Sequence, residues 1–128
     1  MVDFHGWNMP INYGSQLSEH EQVRTSCGIF DVSHMGKILI LSTEENCKEL
    51  EKFIPLDLTN LILNNSFYSF ILNDKGGIID DIIISKINID NSEYFFLVYN
   101  ASRKIIDEKI FIDKTDNYLI LKENSFLA

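Results

Sequence analysis

The feature that most constrains the fold is a glycine pair that leads into a long apolar run interrupted by two adjacent aspartates. Residues 76–84 read GGIIDDIII, and a β-branched run this continuous predicts a strand covered on both faces. Because side chains alternate across a strand, Asp80 and Asp81 point to opposite faces. At least one carboxylate therefore faces apolar surroundings, where it must find donors or take up a proton. This indicates a functional site, although two aspartates that bind backbone N–H groups at the mouth of a strand would give the same pattern.

Length, charge and cysteine content limit the class of protein. The chain has 128 residues, 45% of them hydrophobic and 23% charged, as expected for one soluble domain. Its net charge of −8 argues against a nucleic-acid surface. The two cysteines lack a Cys-x-x-Cys spacing and are predicted to be free thiols. No membrane-length apolar run or signal layout is visible, so we expect no membrane partner and a cytoplasmic location, or the mitochondrial matrix in a eukaryote.

Hydrophobic spacing and capping residues predict three helices. The first covers residues 16–27, with Ser18 and Glu21 as a capping box and with His20 on its apolar side. The second begins at a Ser42 and Glu45 capping box and stops before Pro55. The third follows a cap at Asn100 or Ser102 and runs to about residue 114. Residues 1–14 are predicted to form an aromatic-rich loop.

Alternating segments predict the strands of a mostly antiparallel sheet. The expected strands are residues 37–41, 67–72, 78–87, 94–99 and 117–121, and turn residues at 73–77 predict a hairpin. Together with the helices they predict an α+β fold with a mostly antiparallel sheet and packed helices. An apolar pattern that starts at residue 125 and stops suggests an unfinished strand, and therefore a fragment.

The histidines do not predict a metal site. His5, His20 and His34 lie in three different elements without the spacing of metal ligands, so no metal is expected and His20 is interpreted as a core residue. Asp31, Ser33 and His34 contain the residue types of a hydrolytic triad. They are crowded into four positions, however, and we interpret Asp31 and Ser33 as turn-forming residues.

A long series of motifs carries a family resemblance. The series runs through MVDFHGW at residues 1–7, FDVSHMG at 30–36, Tyr68 in the first predicted strand of the hairpin, GGIIDD at 76–81 and Asn100-Ala101. In this order the residues resemble aminomethyltransferase, the T-protein of the glycine cleavage system. The resemblance implies that residues 1–128 are a single partial domain, the N-terminal part of an incomplete folate-binding domain whose later domains are absent.

The resemblance also implies a reaction, partners and site residues. The reaction is a tetrahydrofolate-dependent transfer of the aminomethyl carbon from the lipoylated H-protein, which gives methylenetetrahydrofolate and ammonia. Asp81 matches the catalytic carboxylate that orients the folate and stabilises positive charge, whereas Asp80 is assigned a structural role. The residues that match the folate pocket are Met35, Leu39, Tyr68, Asp81, Val98 and Asn100.

Two alternatives stay open at this stage. One is a non-catalytic folate-binding module of the same fold, and the other is a folate-dependent demethylase that uses a methylated amine. Ser85 departs from the family pattern, since many members carry an aromatic residue there. We also expect the chain alone to be inactive, because the remaining folate contacts would come from missing segments.

Overall fold

The computed structural model describes residues 1–121, which form an α+β fold with a large antiparallel sheet. The strands are β1 (Val2–Phe4), β2 (Trp7–Met9), β3 (Gly36–Leu41), β4 (Ser66–Leu72), β5 (Ile78–Ile89), β6 (Ser92–Tyr99) and β7 (Tyr118–Ile120). The helices are α1 (Gln16–Thr25), α2 (Glu44–Leu50) and α3 (Lys104–Lys114), and a short 3-10 helix, Ala101–Arg103, precedes α3. The predicted fold class is confirmed.

Five strands form the main sheet in the order β4-β5-β6-β3-β7, with every neighbouring pair antiparallel. The predicted hairpin joins β4 to β5, and the side chain of Asn73 accepts hydrogen bonds from the N–H groups of Lys75 and Gly77, both at 2.9 Å. β5 turns into β6 through Asp90 and Asn91, which both have positive φ, as a tight two-residue hairpin requires.

One face of the sheet packs on the helices and forms the core. Its β6 residues Phe95, Leu97 and Tyr99 are fully buried. Against them lie Phe111 of α3 and apolar residues of α2 and the segment that follows it. Other strand residues in this cluster are Ile38, Ile40, Ile71, Ile82 and Ile84. The sequence forms one continuous core because these strand positions alternate with the residues of the opposite face.

The N-cap residues of α1 and α2 differ from the predicted ones. Thr43, not Ser42, caps α2 by accepting a hydrogen bond from the N–H of Asn46, and Ser15, not Ser18, caps α1. The buried Asn46 side chain joins α2 to the sheet, because its Nδ2 donates to the carbonyls of Leu41 and Asp116 at 2.9 and 2.8 Å. A polar side chain in the core thus satisfies backbone groups at two strand ends.

The N-terminal part of the chain differs most from the prediction. The expected loop contains the hairpin of β1 and β2, which turns at His5 and Gly6, both with positive φ. α1 has no buried residue, so the interpretation of His20 as a core histidine is wrong. The predicted last strand is observed as β7, and the apolar pattern that starts at residue 125 lies outside the described residues.

Candidate functional site

The sheet face opposite the core carries the residues that the family resemblance singled out. Across this face, Lys37 pairs with Val98, Val98 with Ile83, and Ile83 with Tyr68. The next row contains Leu39, Phe96, Ser85 and Ser66 in the same order of strands. The antiparallel register therefore brings Leu39, Val98 and Tyr68, which are far apart in sequence, onto one surface.

One end of this face contains the polar residues. Gly36 pairs with Tyr99 and Tyr99 with Ile82, so the next positions, Met35, Asn100 and Asp81, lie at the same end of three adjacent strands. Met35 lies just before β3, where its N–H donates to the carbonyl of Val32 at 3.0 Å. On the other side of β5, Asp81 pairs with Phe70.

Asn100 binds both aspartates. Its Nδ2 lies 2.9 Å from Oδ1 of Asp80 and 3.0 Å from Oδ1 of Asp81, and its backbone N–H donates to Oδ2 of Asp80 at 3.3 Å. The aspartates occupy opposite faces, as predicted, with Asp80 buried and Asp81 half-buried. Both are within reach because Asn100 lies immediately after the last paired residue of β6, at the edge between the two faces.

Tyr68 completes the polar group around Asp81. The pKa of Tyr68 is raised by partial desolvation, then by the negative charge of Asp81 and by a side-chain hydrogen bond with its carboxylate. A phenol is protonated at neutral pH and a carboxylate has no hydrogen to give, so Tyr68 is the donor to Asp81. Asp81 therefore has two side-chain donors, whereas an ionised carboxylate accepts about four hydrogen bonds. The remaining capacity is available to a ligand.

The face around Asp81 is apolar and open. Tyr68 is 64% exposed and Ile83 is 47% exposed, so the prediction that both faces of β5 are covered is wrong. The alternation is also interrupted at Ile79, since Ile71 pairs with Asp80 and Leu72 with Ile78. Ile79 consequently packs against the core instead of sharing the face of Asp81.

Neither a metal-binding cluster nor a membrane-spanning helix is found among the described residues. Among residues 1–121 no group of three or more His, Cys, Asp or Glu side chains is placed to hold a metal ion. His34 packs edge-on against Phe4 and Trp7, with ring centroids 5.6 and 6.4 Å away. Its pKa is lowered by burial and by the charge of Lys104. In the same part of the chain, no helix has the length and apolar character needed to span a bilayer.

Comparison with known proteins identifies the family. The family model described as "GCVT N-terminal domain" matches residues 1–122, nearly the whole chain.

This chain belongs to the GCVT N-terminal domain family.

Named relatives of this GCVT domain are aminomethyltransferases. The domain is 43% identical over 118 residues to the aminomethyltransferase of Francisella tularensis subsp. mediasiatica. This alignment covers 92% of this chain and 32% of the relative. The domain is 45% identical over 111 residues to the aminomethyltransferase of Francisella philomiragia. This alignment covers 84% of this chain and 29% of the relative. The chain thus spans about a third of the length of these curated relatives.

A solved structure matches the fold of the GCVT domain. The crystal structure of the glycine cleavage system aminomethyltransferase T from Bartonella henselae is similar with a TM-score of 0.80 and 30% sequence identity. The match covers 94% of this chain and 34% of that protein. The fold described above is therefore that of a part of a larger protein of this kind.

The GCVT domain also contains residues on this face that sequence reasoning missed. Lys37 is only 2% exposed, and its ammonium group donates to the carbonyl of Ser33 at 2.8 Å, which ties the preceding loop to β3. Phe96 lies beside Ser85 and presents an aromatic ring next to the position where Ser85 departs from the family pattern. Ser85 itself bonds Ser66, with 2.7 Å between the hydroxyl oxygens. The period-two pattern of β6 gave the signal for Phe96.

The GCVT domain has a concave region away from Asp81. A cavity of about 680 Å³ lies between the β1–β2 hairpin, α1 and residues 28–34. Trp7, Met9, Tyr13, Phe30 and His34 are among its lining residues. None of the six predicted pocket residues lines this cavity. The carboxylate, amide and phenol that meet at Asp81 make the sheet face the better candidate for chemistry.

Proposed function

We propose that this domain supplies the pterin-binding part of a tetrahydrofolate site in an aminomethyltransferase of the glycine cleavage system. In the proposed reaction the carbon–sulfur bond of an aminomethyl group on the lipoyl arm of the H-protein is broken, and dihydrolipoyl H-protein is released. The carbon is transferred to tetrahydrofolate as methylenetetrahydrofolate, and the nitrogen leaves as ammonia. The names of the relatives support the cytoplasm of a bacterium as its location.

The observation that carries the proposal is the convergence of Tyr68, Asp81 and Asn100 on an otherwise apolar surface. A pterin is a flat, largely aromatic ring system with N–H donors at its edge. An open apolar face with one carboxylate that still accepts hydrogen bonds suits such a ligand. Leu39 and Val98 would contact the ring face, and Met35 would close the end beside Asn100.

In this proposal Asp81 acts by electrostatic stabilisation of the reacting group. Asn100 and Tyr68 hold its carboxylate in a fixed orientation through one hydrogen bond each. A carboxylate held in this way binds an N–H group of tetrahydrofolate and stabilises the positive charge that develops as the one-carbon unit is transferred. Tetrahydrofolate supplies the accepting nitrogens, and no metal ion has a part in the proposed reaction.

Replacing Asp81 with asparagine tests this function. We expect a chimaera that carries residues 1–121 in place of the matching part of the Francisella tularensis relative to catalyse transfer from lipoylated H-protein. D81N should lower its kcat about 100-fold, because the group that stabilises the developing charge becomes neutral. Steady-state kinetics at saturating tetrahydrofolate measures this change.

The matched control is Asp74→Asn, which neutralises an exposed aspartate in the loop between β4 and β5. It should leave kcat unchanged. Undiminished transfer and normal tetrahydrofolate affinity in D81N would refute the role of Asp81. Tetrahydrofolate binding without any turnover of H-protein by the unmutated chimaera would instead favour the non-catalytic folate-binding module.

A further inference from the structure

A buried acid on α3 has no part in the site described so far. The side chain of Asp107 is 0% exposed, and within residues 1–121 neither of its carboxyl oxygens receives a hydrogen bond from an N–H or hydroxyl donor. An ionised carboxylate without donors is costly to bury, so a carboxyl group in this position keeps its proton. The protonated Asp107 carboxyl group is therefore available as a hydrogen-bond donor.

The partner of this proton is the other buried acid, Asp80. The Asp80 carboxylate is the side chain that hydrogen-bonds to the Asp107 carboxyl group. Burial, and then the hydrogen bond and charge of Asp80, raise the pKa of Asp107 to about 8, while Arg103 opposes the shift and Glu108 adds to it. Tyr99 of β6 also faces this region, where its hydroxyl donates to Glu108 at 2.9 Å. With these charges around it, Asp107 is protonated at neutral pH.

Asp80 in turn sets the orientation of Asn100. Both Asp80 oxygens accept from Asn100, one from the side-chain amide and one from the backbone N–H. The Nδ2 group carries two hydrogens, and two carboxylates receive them, Asp80 and Asp81. The opposite orientation of the amide would place its oxygen against both carboxylates. Asp80 thus helps to hold the Nδ2 group of Asn100 towards Asp81.

We propose that Asp107 is a positioning residue for Asp81, acting through Asp80 and Asn100. The carboxyl proton of Asp107 fixes Asp80, Asp80 holds the amide of Asn100, and this amide aims the Asp81 carboxylate across the open sheet face. The chain of hydrogen bonds begins in the core beneath α3 and ends at the surface where the ligand is proposed to bind. What Asp81 does there rests on the proposed function, but the positioning itself does not.

The test compares Asp107→Asn with Asp107→Leu in the 128-residue chain. Asparagine has the same shape and still donates to Asp80 but does not titrate, whereas leucine removes the donor. We expect the Asn100 side-chain NH₂ signals in a ¹⁵N–¹H NMR spectrum to shift with a midpoint near pH 8 in the unmodified chain. They should stay pH-independent and close to their neutral-pH positions in D107N, and should move away from them in D107L.

Stability provides the second measurement. The folded chain keeps a proton up to about pH 8 that the unfolded chain releases near the ordinary value of 3.8. The stabilisation is therefore complete below pH 3.8 and is lost as the pH rises towards 8. The unfolding equilibrium constant should rise up to about tenfold per pH unit across this window, and D107N should remove that contribution. Urea titrations from pH 5 to pH 9 measure it.

Asp113→Asn, which neutralises an exposed acid on the same helix, is the control and should retain both the NMR midpoint and the pH dependence. An Asn100 amide that is unchanged in a folded D107L would overturn the positioning role, and if D107L does not fold, the D107N spectrum decides. A D107N chain that keeps the pH-dependent slope would also overturn the proposal. Because neither measurement contains folate, a failure of the proposed function leaves both results interpretable.

Discussion

Replacing Gly36 with alanine is expected to destabilise the domain by about 3 kcal/mol, the upper end of the usual range for overpacking, because the new methyl group has no space. A Cβ at this position would lie 2.0 Å from Cε2 and 2.3 Å from Cδ2 of Tyr99, its cross-strand partner. The Tyr99 ring is fully buried, bonded to Glu108 and packed against Phe111, so it is not free to move aside. Thermal unfolding followed by circular dichroism should show a Tm roughly 10 °C lower or more.

Gly14→Ala is the matched control for this substitution. Gly14 has no atom within 4 Å of the position that a Cβ would occupy, and its φ is not in the left-handed region. Its replacement should leave Tm nearly unchanged, since only the entropy of the unfolded chain is affected. Equal Tm values for the two alanine variants would show that β3 and β6 are not packed as described.

The second large effect is expected for Phe111→Ala, which should cost about 3–5 kcal/mol. Phe111 is fully buried and packs against Phe53, 6.2 Å away, and Tyr99, 5.6 Å away between ring centroids. Its removal leaves a cavity between α3 and the sheet that these aromatic rings cannot fill by small movements. Chemical denaturation of the purified variant measures the free energy of unfolding.

Ile105→Ala on the same helix is the control. Ile105 is 86% exposed, so its truncation should change the free energy of unfolding by less than about 0.5 kcal/mol. If Phe111→Ala were as mild as this control, α3 would not be held to the sheet through the aromatic cluster.

The sequence alone predicted most strands of the sheet and the positions of α2 and α3. Turn residues at 73–77 and alternating apolar positions predicted the hairpin of β4 and β5, and the structure confirms it. The helix caps were misplaced because each helix start has two hydroxyl residues, Ser15 and Ser18 for α1 and the adjacent Ser42 and Thr43 for α2. Sequence alone does not decide which hydroxyl meets a free N–H. The β1–β2 hairpin was missed because its strands are only three residues long.

The candidate site shows why local patterns are insufficient for its details. Hydrophobic spacing and capping residues offered Asn100 or Ser102 as a helix cap, and only the family resemblance placed Asn100 in the pocket. Its side chain makes no capping hydrogen bond and instead joins two aspartates 19 and 20 residues away. This role depends on the register between β5 and β6, which no local pattern reveals. Asp107 resembles an ordinary surface acid in sequence, and its burial is set entirely by the packing of α3. The choice of Asp81 over Asp80 came from the family resemblance and remains a prediction.

The strand order has a consequence for the order of events during folding. β4, β5 and β6 follow one another through short turns, so their pairing closes only small loops. β3, by contrast, pairs with β6 across all of α2, β4 and β5, and it then receives β7 from near the end of the described chain. Pairing between distant segments is slow, so we expect the β4–β6 meander to form early and β3 to dock late.

Stopped-flow kinetics of conservative substitutions would contradict this order if changes in β3 slowed folding more than changes in the meander. Because Asp80 and Asp81 lie in the meander and Asn100 directly after it, these three residues would then meet before the strand that carries Leu39 arrives.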